Sequence, residues 1–241
     1  MKVSRYRKDD DISYALGATV AMEFLVNRPG TVKEVILHPQ FRSEETIARI
    51  EEISKEAGFG ISVEEKPFNI LSQKENCFVI AVVEKKAEHI REGNHVVLVN
   101  PSNAGNMGTI MRSCAGFGVL DIAVIPPAVD QWDPKTVRAS MGAAARVRVE
   151  VFETFDEYMA RFPGNRLYPF MLDGSTRLQA TKIEGPYSLI FGNEATGLPA
   201  SFSNIGQPVR IEHTDNIDSL NLPIAASIAL YAAAGPKGGR A

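Results

Sequence analysis

Three short stretches of small and polar residues could do chemistry, and each follows a run of residues typical of a buried strand. The first stretch, residues 100–112, contains Asn106, Gly108 and Arg112 in a helix otherwise built of small and apolar residues. Open α/β sheets bind ligands where a strand turns into a helix, so this position suits a binding site. A capped helix with one solvated arginine explains the same residues about equally well.

The second stretch, residues 189–199, runs from a buried strand into a loop in which Gly192 and Gly197 flank Glu194. Glycines at the carboxyl end of a strand allow a positive φ and a close approach of the backbone to a ligand. A tight turn with a solvated glutamate is the alternative interpretation.

The third stretch is Ser219, Leu220 and Asn221, just before Pro223 and an alanine-rich helix. Proline is tolerated at the first helical position, so the three residues are expected in the entering loop. Their polar groups would then lie beside the free backbone donors of a helix N-terminus. Taken alone, plain N-capping explains this stretch better than a functional role does.

The hydrophobic pattern predicts two α/β regions that hold these stretches. The first region is predicted to contain a helix over 13–26, a strand at 32–37, a helix over 43–57, and strands at 61–63 and 77–83. The second is predicted to contain strands at 95–99, 121–125, 147–151, 167–172, 188–191 and 209–211, with helices over 106–117, 135–140, 155–162 and 223–234. Alternating strands and helices favour a parallel sheet covered on both faces. The charged stretch Glu84–Gly93 resembles a linker, so we predict domains at residues 1–90 and 91–241.

Composition excludes several classes of protein. The 241 residues are 44% hydrophobic and 23% charged with a net charge of −3, which excludes a polybasic nucleic-acid binder but not a local basic patch. Two cysteines and four scattered histidines indicate neither a disulfide framework nor a metal site, so no metal is expected. Leu222–Gly235, the most apolar stretch, is too short to span a bilayer, and the N-terminus does not resemble a signal peptide. We expect a cytoplasmic protein without membrane contact.

In this order and spacing, the three stretches resemble the motifs of the SpoU/TrmH family of SPOUT methyltransferases, over about residues 94–235. The motifs N-x-G-x-x-x-R, G-x-E-x-x-G and S-L-N are matched by Asn106, Gly108 and Arg112, by Gly192, Glu194 and Gly197, and by Ser219, Leu220 and Asn221. Residues 137–143 also look like the family's R-A-S-x-G-A stretch. Asn103–Gly105 reads as a short insertion, so Asn103 is an alternative to Asn106 as the functional asparagine. The spacing from Asn106 to Arg112 favours Asn106.

The resemblance implies a C-terminal trefoil-knotted SPOUT domain with a mostly parallel sheet. It also implies methyl transfer from S-adenosylmethionine to a ribose 2′-hydroxyl of RNA, either rRNA or tRNA. By its order of elements, the first domain resembles the small α/β ribosomal-protein-like RNA-binding domain that precedes many of these enzymes. A homodimer is implied as well, through a last helix lined by Ala225, Ala226, Ala229, Ala232 and Ala233.

The resemblance further assigns roles to residues. The cofactor is expected to be held mainly by backbone groups, at Leu172, Gly192, Gly197, Ile211 and Leu220. Arg112 is expected to be catalytic, supported by Asn106, Glu194, Ser219 and Asn221. Because a guanidinium is almost always protonated, Arg112 acts either as the base or as a clamp on the adjacent phosphate.

Two other classes of function compete with this interpretation. An RNA-binding protein with an inactive methyltransferase fold would be expected to lose Arg112 or the S-L-N motif first, and both are present. A Rossmann-type methyltransferase or reductase acting on a small molecule is disfavoured, because no G-x-G-x-x-G fingerprint occurs.

Overall fold

Strands and helices alternate along residues 3–71 and 76–234, the part of the chain that the computed structural model describes. The strands are β1 (Ile12–Leu16), β2 (Val32–Leu37), β3 (Gly60–Val63), β4 (Val79–Glu84), β5 (His95–Val99), β6 (Asp121–Ile125), β7 (Arg148–Val151), β8 (Arg166–Pro169), β9 (Thr176–Arg177), β10 (Tyr187–Phe191) and β11 (Val209–Arg210). The helices are α1 (Ala18–Asn27), α2 (Glu44–Ala57), α3 (Lys66–Leu71), α4 (Ala104–Phe117), α5 (Pro134–Ala139), α6 (Phe155–Arg161) and α7 (Leu222–Ala234). The last seven residues of the predicted second domain, 235–241, lie outside the described residues.

The chain divides by its internal packing into two units. Unit 1 combines Met1–Ala87 with Asp130–Arg146, and unit 2 combines Glu88–Val129 with Val147–Ala241. The predicted division into residues 1–90 and 91–241 did not anticipate that 130–146 packs with the N-terminal residues. Within unit 1, α5 packs against β1 and the hydroxyl of Tyr6 donates to the carboxylate of Asp130.

Unit 1 contains a four-stranded mixed sheet in the order β1-β4-β2-β3. Strand β4 is antiparallel to both β1 and β2, and β3 is parallel to β2. Helix α2 begins at the N-cap Ser43, has Glu44 and Glu45 in its first turn, and buries Ile50 and Ile53. Acidic residues in the first turn are favoured by the helix dipole, so the local sequence fixes where this helix starts.

The helix predicted over residues 13–26 is wrong in its first part, which forms strand β1. Ser13, Tyr14 and Ala15 are each at most 1% exposed, so this strand is covered on both faces and shows no alternation of polar and apolar residues. A short apolar run of that kind cannot be told from a buried helix by periodicity. Gly17 separates β1 from α1 with a φ of 101°, which a glycine adopts without strain.

Unit 2 contains a five-stranded sheet in the order β7-β6-β5-β10-β8, and every pairing in it is parallel. The predicted α/β class with a mostly parallel sheet is therefore confirmed for this unit. Strands β9 and β11 form a separate parallel pair, of which β9 was not predicted. The strand predicted over 167–172 is shorter in the structure: β8 ends at Pro169, and beyond it the N–H groups of Phe170 and Met171 donate to the carbonyls of Ile190 and Val209. Leu172 therefore lies in a loop and is 67% exposed.

Helix α4 covers the unit 2 sheet with the face that its spacing predicts. Met107, Ile110 and Cys114 are at most 1% exposed, whereas Arg112 lies on the exposed face. The side-chain oxygen of Asn103 accepts a hydrogen bond from the backbone N–H of Asn106 and so caps the helix. Burial of one face and capping of the start fix the direction in which the exposed face points.

A polar network is buried at the amino-terminal ends of β5 and β10. His95 is fully buried, and its Nε2 donates to the carbonyl of Arg91 at 2.6 Å. Because a carbonyl can only accept, the neutral ring has its lone pair on Nδ1, which faces the Tyr158 hydroxyl at 2.8 Å. The Tyr158 hydroxyl also contacts the hydroxyl of Ser188 at 2.5 Å. Burial lowers the pKa of His95 below its usual 6.5, so the folded state holds this ring neutral.

We predict that His95 makes the protein less stable in weak acid. Since its pKa is lower in the folded chain than in the unfolded chain, the unfolded chain takes up more protons as the pH falls through about 6.5. Its contribution to stability is complete above that pH and decreases below it. Urea unfolding at pH 7.5, 6.5 and 5.5 should show a decreasing free energy of unfolding, with a smaller slope in His95→Gln. The exposed-histidine variant His213→Gln is the control, and equal slopes in all three proteins would contradict the prediction.

Candidate functional site

The first two sequence stretches meet because of the strand order in unit 2. From β5 the sheet grows through β6 to β7 on one side, whereas β10 and β8 lie on the other side. Strands β5 and β10 are parallel neighbours, so the loops after them start from the same edge of the sheet. Such a reversal of strand order opens a crevice where α/β proteins bind ligands.

The carboxylate of Glu194 joins these two loops. Its Oε2 accepts hydrogen bonds from the backbone N–H and the hydroxyl of Ser102, at 3.1 and 2.7 Å. Its Oε1 accepts from the backbone N–H of Asn103 at 3.2 Å and from the amide Nδ2 of Asn106 at 3.1 Å. Glu194 therefore binds the segment that leads into α4 and the first turn of that helix.

The environment of Glu194 stabilises its charged form. Partial burial alone raises the pKa of this carboxyl, but the hydrogen bonds from Ser102 and Asn106 and from backbone amides outweigh that effect. The net pKa is therefore lowered from its usual 4.5. The N-terminus of α4 lies beside the carboxylate, and a helix N-terminus favours negative charge. Glu194 is thus an ionised structural link and not a proton acceptor at neutral pH.

The two asparagines that the sequence offered as alternatives have different partners. The side chain of Asn103 accepts from the backbone N–H of Asn106 at 3.0 Å, which is the ordinary role of an N-cap. The side chain of Asn106 instead donates to Glu194. The geometry therefore gives Asn103 a capping role and connects Asn106 to the second motif.

A cleft of about 340 Å³ opens beside this junction, within unit 2. Its lining includes all five residues predicted to bind a cofactor, namely Leu172, Gly192, Gly197, Ile211 and Leu220. A Cβ atom at Gly192 would lie 2.1 Å from the backbone carbon of Gly197, so only glycine lets these two backbone segments approach so closely. Gly197 itself has a φ of 68°. The cleft wall combines backbone and apolar groups with polar side chains that include Asp173 and His213.

The predicted catalytic residues are distributed around the cleft. Glu194 and Ser219 line it. Arg112 lies on the exposed face of α4, and within the described residues its side chain has no hydrogen bond or ion pair. Asn221 is exposed just before α7, and its backbone carbonyl accepts from the N–H of Ala225 at 3.0 Å. The structure thus groups the residues predicted to bind a cofactor in one cleft and leaves Arg112 and Asn221 exposed to solvent.

Two polar residues of this junction were not singled out from the sequence. Ser102 supplies two of the donors to Glu194. Asn193 donates from its side chain to the carbonyl of Asn100 at 2.9 Å and so forms a second link between the two loops. An asparagine at the start of a tight turn is a common turn former, and that is the signal that would have identified Asn193.

Neither a metal cluster nor a membrane span is found where the chain is described. Residues 3–71 and 76–234 contain no group of three or more His, Cys, Asp or Glu side chains arranged to hold a metal ion. Over the same ranges, none of the helices combines the length and the apolar character that crossing a bilayer requires.

Known proteins are similar to this chain over different shares of its length. A model of the SpoU rRNA Methylase family matches residues 93–231, which is more than half of the chain. A tRNA (cytidine(34)-2′-O)-methyltransferase from Methylovorus glucosotrophus is 29% identical over 141 residues, covering 57% of this chain and 92% of that protein. A 23S rRNA (adenosine(1067)-2′-O)-methyltransferase from Streptomyces laurentii is 28% identical over 144 residues, covering 58% of this chain and 53% of that protein.

Among solved structures, an rRNA methyltransferase from Sinorhizobium meliloti with bound AdoMet is similar over nearly the whole chain. The TM-score is 0.78 and the identity 26%, and the match covers 92% of this chain and 87% of that one. This similarity covers 92% of the chain, compared with 57% and 58% for the two sequence relatives.

We predict that Glu194→Gln destabilises unit 2. An amide offers one acceptor oxygen, so its NH₂ group would face donors from Ser102 or from Asn103 and Asn106 and leave them unpaired. Loss of a charged acceptor in such a place costs about 1–3 kcal/mol. Urea unfolding should show this loss at pH 7, with Glu92→Gln, an exposed glutamate of unit 2, as the matched control.

The same experiment at several pH values tests the charge of Glu194. Because its pKa is lowered in the folded chain, its contribution is present above about pH 4.5 and is lost as the pH falls below that value. The difference between the parent and Glu194→Gln should therefore be constant from pH 6 to 8. A Glu194→Gln protein with the unfolding midpoint of the parent would contradict the prediction.

Proposed function

The chain belongs to the SpoU rRNA Methylase family, and on that premise we propose that it transfers a methyl group from S-adenosylmethionine to a ribose 2′-hydroxyl of RNA. The observation that carries this proposal is the junction at Glu194. It binds the loop that lines the cleft to the helix that bears Arg112, so the cofactor residues and the exposed arginine belong to one assembly.

The residues of the cleft fit S-adenosylmethionine. A pocket of about 340 Å³ is within the range of clefts that hold a small molecule. Leu172, Ile211 and Leu220 offer apolar surface, and the backbone around Gly192 and Gly197 offers donors and acceptors that no side chain obstructs. When bound, S-adenosylmethionine supplies an electrophilic methyl group.

The side chains of this protein must orient the ribose and promote removal of the proton from its 2′-hydroxyl. Positioning supplies much of the acceleration in such a displacement, because little charge needs to be stabilised. We propose that Arg112 contacts the RNA from the exposed face of α4, either as the base or by holding a phosphate in a two-pronged contact. Glu194 and Asn106 hold the start of α4, while Ser219 and Asn221 orient the loop that enters α7.

An rRNA is the target that the comparisons favour. The relatives named for tRNA and for rRNA match 57% and 58% of this chain in sequence, whereas the S. meliloti rRNA methyltransferase matches 92% of it in structure. The N-terminal residues are therefore shared with a protein named for rRNA. We propose that unit 1 contributes to binding rRNA, as its resemblance to a ribosomal-protein-like domain implies, and that the enzyme acts in the cytoplasm, where rRNA is found.

A trefoil knot and a homodimer complete the proposal. The insertion of β10 between β5 and β8, followed by the return of α7 against α4, is compatible with the knotted topology that the family resemblance implies. For the dimer, the expected contact through Ala226 and Ala229 is corrected, because both are fully buried inside unit 2. The large exposed apolar side chains of α7 are Ile224, Ile228 and Tyr231, and with the exposed Ala232 of the expected set they support a contact through this helix.

We predict that Arg112→Ala lowers methyl transfer by about two orders of magnitude or more, the usual scale for losing a proton-transfer or charge-positioning group. Folding should be nearly unchanged, because the side chain is exposed and makes no bond to the described residues. Affinity for S-adenosylmethionine should change by no more than a few-fold. Arg112→Lys should not restore activity, since a point charge cannot replace a planar two-pronged contact.

The assay is incorporation of labelled methyl groups into RNA from cells that lack the gene, with rRNA and tRNA fractions tested separately. Cofactor affinity is measured by calorimetry beside it. Arg91→Ala, which removes another exposed arginine of unit 2, is the control. Parental activity in Arg112→Ala would refute the assigned active site, and a parent that methylates no RNA would favour an RNA-binding protein with an inactive fold.

We predict a homodimer in solution that depends on the exposed stripe of α7. Light scattering at micromolar concentration should give twice the chain mass of 26.3 kDa for the parent. Ile228→Glu should give the single mass, because it places a charge in the centre of the apolar stripe. Val151→Glu alters an equally apolar exposed residue of unit 2 outside α7 and should leave the mass doubled. A monomeric parent would rule the dimer out.

A further inference from the structure

Asn193 fixes the shape of the loop that lines the cleft. Its Oδ1 accepts from the backbone N–H groups of Ala195 and Thr196, at 2.9 and 3.2 Å. Its own backbone exchanges two hydrogen bonds with Gly197, at 3.2 and 2.9 Å. One half of the Asn193 amide therefore closes the turn over residues 193–197.

The other half of the same amide reaches the segment before α4. Its Nδ2 donates to the carbonyl of Asn100 at 2.9 Å. Asn100 has a φ of 55°, a left-handed conformation that asparagine adopts more readily than most other residues with a side chain. The N–H of Asn100 donates to the carbonyl of Ile125 at 2.8 Å, so this peptide is held on both sides.

We infer that Asn193 is a positioning residue that couples occupation of the cleft to the placement of Arg112. The inference rests on the proposed function. One side chain bonds both the turn that lines the cleft and Asn100, which follows β5 and lies four residues before α4 begins. Whatever orders the turn from the cleft side therefore also orders the start of α4.

Coupling of this kind has a thermodynamic consequence. If a molecule in the cleft stabilises the turn and the turn stabilises the start of α4, RNA binding at the exposed face of α4 becomes tighter when the cleft is filled. By linkage, RNA must tighten binding in the cleft by the same factor. Glu194 also joins the turn to the segment before α4, through Ser102 and Asn106. A change at Asn193 therefore alters the strength of the coupling, while Glu194 still keeps the two loops together.

Two variants test the roles of the two halves of the Asn193 amide separately. In Asn193→Ser the hydroxyl can still accept from the turn amides, as serine does in similar turns, but it is too short to reach Asn100. In Asn193→Ala the side-chain bonds to the turn and to Asn100 are both lost, while the backbone bonds with Gly197 remain. Asn204→Ser, at an exposed asparagine of unit 2 with no bond among the described residues, is the matched control.

The experiment measures binding of S-adenosylhomocysteine by calorimetry with and without rRNA from cells that lack the gene. Steady-state kcat and KM are measured for both substrates. In the parent and in Asn204→Ser, rRNA should tighten S-adenosylhomocysteine binding about five-fold or more. In Asn193→Ser that factor should fall to about one and kcat by about ten-fold or more, with KM for S-adenosylmethionine within about three-fold of the parent. Asn193→Ala should raise this KM as well.

Other outcomes overturn the inference. Parental coupling and kcat in Asn193→Ser would show that the link to Asn100 is not used. An equal rise of KM for S-adenosylmethionine in Asn193→Ser and Asn193→Ala would restrict Asn193 to the cleft. Absence of coupling in an active parent would overturn the inference alone, whereas a parent that neither binds S-adenosylhomocysteine nor methylates RNA would overturn the proposed function with it.

Discussion

The site depends on the partly buried carboxylate of Glu194, which lies against the start of α4. A helix begins with backbone N–H groups that have no partner in the helix, and a carboxylate satisfies them with both hydrogen bonds and charge. Here the carboxylate comes from the loop after β10, so satisfying the helix also fixes the loop. Hydrogen bonds to charged groups contribute about 1.5–3 kcal/mol each, enough to hold two loops that share no backbone pairing.

Close packing of the backbone explains why glycines line the cleft. Gly192 is required by the close approach of two main-chain segments, and the other walls combine apolar groups with polar side chains such as Asp173 and His213. The fold is retained at 26% identity in the AdoMet-bound relative.

Local patterns predicted the parts of this site that local physics determines. The small and apolar face of α4 follows from its 3.6-residue period, and the Gly192–Gly197 turn follows from glycines that allow a close backbone approach and, at Gly197, a positive φ. Strand β1 was missed because a strand buried on both faces has no alternation to detect. The link from Asn193 to Asn100 joins residues 93 positions apart, and its pairing depends on the order of strands in the sheet. No short window of sequence contains that order.

The path of the chain between the two units limits how the protein can be divided. Residues 1–87 lie in unit 1, 88–129 in unit 2, 130–146 in unit 1 again, and 147 onward in unit 2. The β6–β7 connection therefore supplies part of the first unit's interior, with Val137 fully buried there. A fragment that begins at residue 91 would expose that apolar segment to water. It would also lack Tyr6 and Ser13, whose hydroxyls donate to Asp130 and Trp132 in the β6–β7 connection. The N-terminal region is thus not an interchangeable module. To transfer it to another catalytic domain, residues 130–146 of the β6–β7 connection would have to be transferred with it.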